Sequence, residues 1–430
     1  MTISTSTCPR RRRLAGIASM ALVSVLALGG CASSTDSTAA DSASSTSTSA
    51  SASSGSVSSV STASTTQDAT TTADTISDTA AAAQAFLDTL SEEQQDAVLY
   101  AYDDETKTTS WSNFPVTFVQ RAGLDLGDLT DEQQAAALEV LESLLSDEAY
   151  ETVTGIMNGD VYLHENSSST EASLGQYYIA FFGDPSDTSA FEVQFGGHHL
   201  GINATLDGAA DGSSGAITFA PTHLGVQPAV YTDEDGDEVQ PFDSIYTDAF
   251  AFFDSLTDEQ QAALTSGDVS MCAPGDTCDF ATGEGLTGAD LTDEQKDLLL
   301  DLIANWAGMA DEQTTTTELA EIEATLDDTV IAWSGETTYD MSTGDGINFS
   351  ISGPDVYVAF QAQQGSAGAD VEGVSTSGWG HVHTIYRDPT DDYAGSATQQ
   401  AASGTGGGEM GGTPPGDGGT PPADASSSAG

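Results

Sequence analysis

A leucine followed by a hydroxyl residue, two acids and a glutamine occurs four times along this chain: Leu90-Ser91-Glu92-Glu93-Gln94, Leu129-Thr130-Asp131-Glu132-Gln133, Leu256-Thr257-Asp258-Glu259-Gln260 and Leu291-Thr292-Asp293-Glu294-Gln295. Each phrase reads as a helix start. The Ser or Thr accepts a bond from the N3 amide, and the Gln at N3 reaches back to the N-cap amide. Acids in the first turn suit the positive end of the helix dipole. Apolar residues follow at helical spacing in three cases: Ala97 and Tyr100; Leu138, Leu141, Leu144 and Leu145; Leu298, Leu299, Leu302 and Ile303. The pattern predicts at least four helices, the first around Ala80–Tyr102 with a restart at Ser91.

After each helical pair the chain changes to short runs rich in Val, Ile, Phe and Tyr, bounded by Gly, Asp and Pro, which read as strands. They are Gln176–Phe182, Phe191–Phe195, His199–Leu206 and Ala216–Ala220, then Thr329–Trp333, Gly346–Ser352, Val356–Gln361 and His381–Tyr386. Order repeats as well as motif. Phe86-Leu87-Asp88-Thr89-Leu90-Ser91 resembles Phe252-Phe253-Asp254-Ser255-Leu256-Thr257, and Gly123–Thr130 resembles Gly285–Thr292. The expectation is an internal duplication: an α+β fold of two related halves, 81–245 and 246–394, each a helical pair followed by mainly antiparallel strands. The competing explanation is a good helix start reused by a biased composition. In this alignment His223 falls near the place of the second-half histidines, so a site between the halves is expected.

The ends carry different information. Arg10–Arg13 precede an apolar run from Leu14 to Leu28, and Leu28-Gly29-Gly30-Cys31 closes it. This reads as a lipoprotein signal over 1–31 with Cys31 lipidated; the run is too short to span a bilayer. The arginines also allow the twin-arginine export route. Residues 32–80 are Ser, Thr and Ala with scattered Asp, a composition that cannot offset its ordering entropy and reads as a disordered stalk. Residues 395–430 read as a Gly/Pro-rich disordered tail. The folded domain is therefore expected over 81–394, exported and held by its lipid on the outer face of the bacterial cell membrane.

Charge narrows the functions. The chain has 67 acids against eight Lys and Arg, a formal net charge of −59. Such a surface excludes nucleic-acid binding; it suits a solvated acidic exterior or a high-salt habitat. Beyond the signal only Lys107, Arg121, Lys296 and Arg387 are basic. Arg121 and Arg387 are candidates for holding an anionic ligand or, equally, for buried ion pairs, since the guanidinium fork serves both. Cys272 and Cys278 bracket Ala-Pro-Gly-Asp-Thr and read as a disulfide in an exported protein. The alternative, a two-thiolate metal site, lacks a nearby His or third Cys.

Two of the six histidines stand together in Gly196-Gly197-His198-His199-Leu200, and two more in Gly378-Trp379-Gly380-His381-Val382-His383. His381 and His383 share one strand face, a common way to present two metal ligands. If His198 and His199 lie in a strand, they point to opposite faces and one of them, His199 by its place beside Leu200, joins the site. Three imidazoles with an open position are what catalytic zinc uses, and copper, nickel and iron accept the same donors. The opposing reading is histidines that satisfy buried backbone groups. His164-Glu165 is a lesser candidate. Asp233–Glu238 departs from a calcium loop and reads as a hairpin turn. No P-loop, dinucleotide fingerprint or nucleophile elbow is present.

Arg121-Ala122-Gly123-Leu124, Leu129-Thr130 with Gln133, Phe182-Gly183-Asp184-Pro185-Ser186, Gly197-His198-His199-Leu200, and His381-x-His383 with Arg387-Asp388-Pro389 and Asp392-Tyr393 together resemble the DUF3500 family, a domain of unknown function, across most of 85–394. The resemblance implies that both histidine stretches and both arginines belong to a shared pattern. The chain departs from it at Phe191-Glu192, where family members tend to be Trp-rich. Three functions stand open: a surface-tethered metal protein (carrier or metal-dependent hydrolase) using His198, His199, His381 and His383; a metal-free solute- or carbohydrate-binding lipoprotein using Arg387, Arg121 and aromatic walls including Trp379; and a structural cell-envelope protein.

Overall fold

The computed structural model describes residues 70–397 apart from 170–173, 209–214, 266–268, 277, 282–284 and 366. The expected signal with Cys31, most of the expected stalk and nearly all of the tail lie outside the described residues. The helices are α1 (Thr72–Asp88), α2 (Glu92–Val98), α3 (Asp131–Leu144), α4 (Asp147–Asn166), α5 (Asp243–Ser255), α6 (Asp258–Ala263), α7 (Asp293–Ala307) and α8 (Glu312–Thr325). The strands are β1 (Leu99–Tyr100), β2 (Leu124–Asp125), β3 (Tyr178–Phe182), β4 (Ala190–Gly196), β5 (Leu200–Asp207), β6 (Ala216–Thr218), β7 (Thr222–Val226), β8 (Tyr231–Thr232), β9 (Glu238–Val239), β10 (Leu286–Thr287), β11 (Val330–Gly335), β12 (Ile347–Ser352), β13 (Tyr357–Gln364) and β14 (Ser377–Arg387).

All four Leu-hydroxyl-acid-acid-Gln phrases start helices. Ser91, Thr130, Thr257 and Thr292 cap α2, α3, α6 and α7, each with its reciprocal Gln bond. Two of those glutamines also join neighbouring starts. Gln133 Nε2 donates to Gln94 Oε1 at 3.3 Å and to the Thr89 carbonyl at 3.0 Å. Gln295 Nε2 does the same to Gln260 Oε1 at 3.0 Å and the Ser255 carbonyl at 2.8 Å. The helix expected around 80–102 divides into the end of α1, all of α2 and β1. Moreover, α1 opens at Thr72, inside the stretch expected to be stalk. Thr71 and Asp74 form a capping box there, and Ile76, Ala80, Ala83 and Phe86 enter the core. The Ser, Thr and Ala composition of this stretch masks the helical spacing of those core residues.

The fold is α+β. A 12-stranded sheet runs β1-β3-β4-β5-β7-β14-β13-β12-β11-β10, with β2 beside β3 and β6 beside β5. Strand β1 is parallel to β3; from β3 to β11 each neighbour is antiparallel to the next. One order of elements occurs on each side of the β7–β14 junction: two helices, a short strand with a 3-10 turn, two helices, then strands stepping inward to the middle of the sheet. Strands β8 and β9 form a separate hairpin around Asp233–Asp237.

The two sheet faces differ. Phe191, Val193 and Phe195 of β4, Leu200, Ile202, Ala204 and Leu206 of β5, and Val382 and Tyr386 of β14 join the helices in the main core. The opposite face carries Glu192, Gln194, Asn203, His223, His381, His383 and Arg387, all buried. Loops cover it, with Trp111, Met271, Cys272 and Cys278 packed on Tyr357, Ala359 and Ile385. Strand β7 at the sheet's centre was not expected from sequence. Its Thr-His-Leu-Gly-Val lacks an aromatic or branched run and follows Pro221.

Candidate metal centre

The strands β5, β7 and β14 bring the histidines together. His383 faces Gly225 across the β7–β14 ladder, and Gly201 of β5 faces His223 of β7. A Cβ at Gly225 would stand 2.9 Å from His383 Cδ2 and 3.4 Å from His199 Cδ2, so glycine there makes room for both rings. Strand β5 begins only at Leu200, so His198 and His199 lie in the bend before it. Strand alternation therefore does not separate them, which corrects the expectation that one alone faces the site. The rings stack, with centroids 4.3 Å apart and planes 17° off parallel. Gly197 permits the bend to press on its neighbour, since a Cβ there would meet the Gln176 carbonyl oxygen at 2.3 Å.

His383 meets both rings edge-on, its centroid 5.5 Å from His198 and 5.3 Å from His199. One nitrogen from each of His198, His199 and His383 lies within 4.8 Å of the others. Ligand nitrogens around a tetrahedral ion sit roughly 3.3 Å apart, so ring shifts on the order of 1 Å would close the set. His381 projects from the same face of β14, with its Nε2 3.2 Å from His383 Nε2, but it stands beside the triad. Burial and the neighbouring rings hold the His383 pKa well below its ordinary value, so the ring is neutral, as a ligand must be. Its Nδ1 is buried without a hydrogen-bond partner.

Behind the triad stands a carboxylate that sequence reasoning missed. His199 Nδ1 lies 2.5 Å from Asp160 Oδ1, and the Tyr177 hydroxyl donates to Asp160 Oδ2 at 2.7 Å. Burial, then Asp160, raises the Tyr177 pKa well above its usual value and keeps the phenol a donor. With Nδ1–H given to Asp160, the lone pair of His199 is on Nε2, the nitrogen that would serve as a ligand. A carboxylate behind a ring nitrogen is the usual support for a metal-bound imidazole. Asp160 lies on α4 with Ile156, Met157 and Val161, all buried. An acid on an apolar stripe was the available signal. His164 and Glu165 instead sit exposed in the last turn of α4, away from the triad.

His223 cannot serve as a ligand in this arrangement. Its Nδ1 faces the Thr384 carbonyl at 2.7 Å and its Nε2 faces the His198 carbonyl at 3.1 Å. Burial pushes its pKa down to about 3. It pins the bend to β14.

Arg121 pins the same bend from the other side. Its Nε and Nη2 donate to the Gly197 carbonyl at 3.1 and 2.6 Å, and Nη2 also faces the carbonyls of Ser112 and Phe114 at 2.7 Å. Burial pushes its pKa down to about 10, which leaves it charged. Arg387 forms a buried pair with Asp392, Nε to Oδ2 at 2.6 Å and Nη2 at 2.5 Å, and its Nη1 donates to the Cys272 carbonyl. Both arginines thus hold protein groups where an anion contact was the other expectation. Cys272 and Cys278 are joined in a disulfide. Trp379, expected as a ligand wall, is core, packed on Tyr246, Phe250 and Tyr339.

These observations define an α+β protein whose central strands gather a buried histidine triad able to hold a metal ion. The chain belongs to the family described as protein of unknown function (DUF3500), which matches residues 72–395. No curated protein and no solved structure matches it.

Proposed function

We propose that this protein binds a transition-metal ion through His198, His199 and His383, with His381 alongside. The observation that carries this is the Asp160–His199 pair beside the triad: a carboxylate on Nδ1 favours the tautomer in which Nε2 serves as the ligand. All-nitrogen donors suit zinc, copper, nickel or iron and not calcium or magnesium. The bound ion would supply Lewis acidity or storage; the chain's own residues orient the rings and exclude water. Burial of all three rings favours holding an ion, as a carrier does, over hydrolysing a substrate. The arginines and apolar run closing on Leu28-Gly29-Gly30-Cys31 support the reading of a lipid-tethered chain outside the cell, and the repeated order of elements supports the reading of two related halves. Metal analysis of protein purified without chelator tests the function. One equivalent of a transition metal is expected, lost in His199→Ala and in His383→Ala. Protein with no metal that gains none on titration with zinc, copper(II), nickel or iron(II) would overturn it.

A further inference from the structure

A cavity of about 690 Å³ opens on the loop-covered face of the sheet, and none of the four clustered histidines lines it. One wall is the segment between β1 and β2. The other is Pro274–Gly275, within the loop closed by the disulfide. Trp111, Arg387 and Tyr393 also line it. Arg121 ties this frame to the histidine bend, and two further bonds hold it without touching the metal centre. Trp111 Nε1 donates to the Tyr393 hydroxyl at 2.7 Å, and Ser112 Oγ donates to the Pro274 carbonyl at 2.7 Å.

We propose that this cavity binds a neutral, hydroxyl-rich ligand of the saccharide class. Four features point there. The size falls within the range of small-ligand sites. Thr106, Thr108, Thr109, Ser110 and Gln120 line it; the hydroxyls of Thr108, Thr109 and Ser110 donate to the Glu105 and Thr106 carbonyls and to Gln194 Oε1, which leaves their oxygens as acceptors for a ligand's hydroxyls. Phe118 lines it too and is the one large apolar side chain markedly exposed among the described residues, at 70 %. An aromatic face beside hydroxyls and an amide is a surface on which a sugar ring stacks and hydrogen-bonds. Charge excludes the alternatives. Among the described residues the cavity lining holds no Asp or Glu to select a cation. Its arginines face protein acceptors, and the chain's overall −59 repels anions.

The test uses the full chain with and without chelator treatment, so that failure here is separate from failure of the metal reading. Maltose, cellobiose and diacetylchitobiose at millimolar concentration are the probes, with citrate as the anionic control. Saturation-transfer NMR and calorimetry are the readouts. At least one disaccharide is expected to bind, and Phe118→Ala to weaken it about tenfold, as loss of a stacking face does. Because Phe118 is exposed, that variant keeps its fold; Gln120→Ala gives a second reading of the same wall. Binding by citrate alone, binding unchanged in both variants, or no binding by any of the three sugars would overturn the proposal.

Discussion

Replacing Asp160 by Asn tests the metal centre without emptying a cavity. The side chain keeps its shape but loses its charge and gains an amide donor. In the native arrangement the carboxylate accepts from His199 Nδ1 at 2.5 Å and from Tyr177 at 2.7 Å. Asn has one carbonyl oxygen for these two donors. If it accepts from Tyr177, its NH2 faces His199 Nδ1. The ring then relieves the clash by moving its proton to Nε2, the nitrogen that would face the ion. A protonated Nε2 cannot coordinate, so metal binding must first reverse the tautomer. Outer partners of metal-bound histidines are commonly worth 10–100-fold in affinity, which is about 1.4–2.7 kcal/mol. The assay is competition with a chromophoric chelator, paired with nitrogen-15 NMR of the histidine tautomers. The expected outcome is a drop in affinity of that size, with the His199 proton moved from Nδ1 to Nε2. Unchanged affinity in Asp160→Asn together with the shifted tautomer would refute the reasoning, because the Nε2 lone pair would then be irrelevant to binding.

Other groups on the same face give separate outcomes. Asp392→Asn leaves Arg387 charged and buried, and breaking such a pair costs about 3–5 kcal/mol; urea unfolding should show a loss of that order, partly recovered when Arg387→Met is added. Glu192 is buried 3.4 Å from Lys107 Nζ, and burial raises its pKa from 4.5 to about 7. The folded state therefore binds the extra proton, so this group's contribution is full below pH 4.5 and is lost as pH rises towards about 7. Urea midpoints measured across that window should fall less steeply in Glu192→Gln than in the parent chain, and equal slopes would remove Glu192 as the cause. Cys272→Ser opens a loop whose closure entropy is worth about 2 kcal/mol; a smaller thermal midpoint under non-reducing conditions, and no further change on adding reductant, is the expected result.

Legibility from sequence followed the range of the interaction. Helix starts are local, four or five residues long, and Ser91, Thr130, Thr257 and Thr292 could be read directly. The period-two pair His381 and His383 is equally local, because one strand sets both directions. The His198–His199 bend depends on where β5 begins, and that boundary comes from pairing with β4 and β7 rather than from propensity. Strand β7 was hidden because burial in the middle of a sheet tolerates Thr, His and Gly wherever neighbours satisfy them, as Gly225 shows beside two rings. Asp160 lay furthest from reach. It stands 39 positions before His199, and nothing short of the packing of α4 on the sheet links them.

Scarcity of positive charge is a signal of a different kind, since it needs no geometry. Lys107, Arg121 and Arg387 all end up within the loops and strands of one sheet face. Lys107 is fully buried against Glu192 with the Tyr102 ring 4.2 Å from its Nζ. Arg121 gathers carbonyls around the His198–His199 bend, and Arg387 ties β14 to the disulfide loop and to Asp392. Lys296, the fourth, makes an exposed pair with Asp327 on the helical side. In a chain this acidic, each buried cation must be held by specific acceptors to offset its desolvation. The covering loops pack Trp111, Met271 and Cys272 on the sheet, and these cations add directional bonds that fix their conformation further. The loops enclose both the histidine bend and the cavity. The basic residues therefore mark the face of the candidate site by building it, through bonds to protein groups.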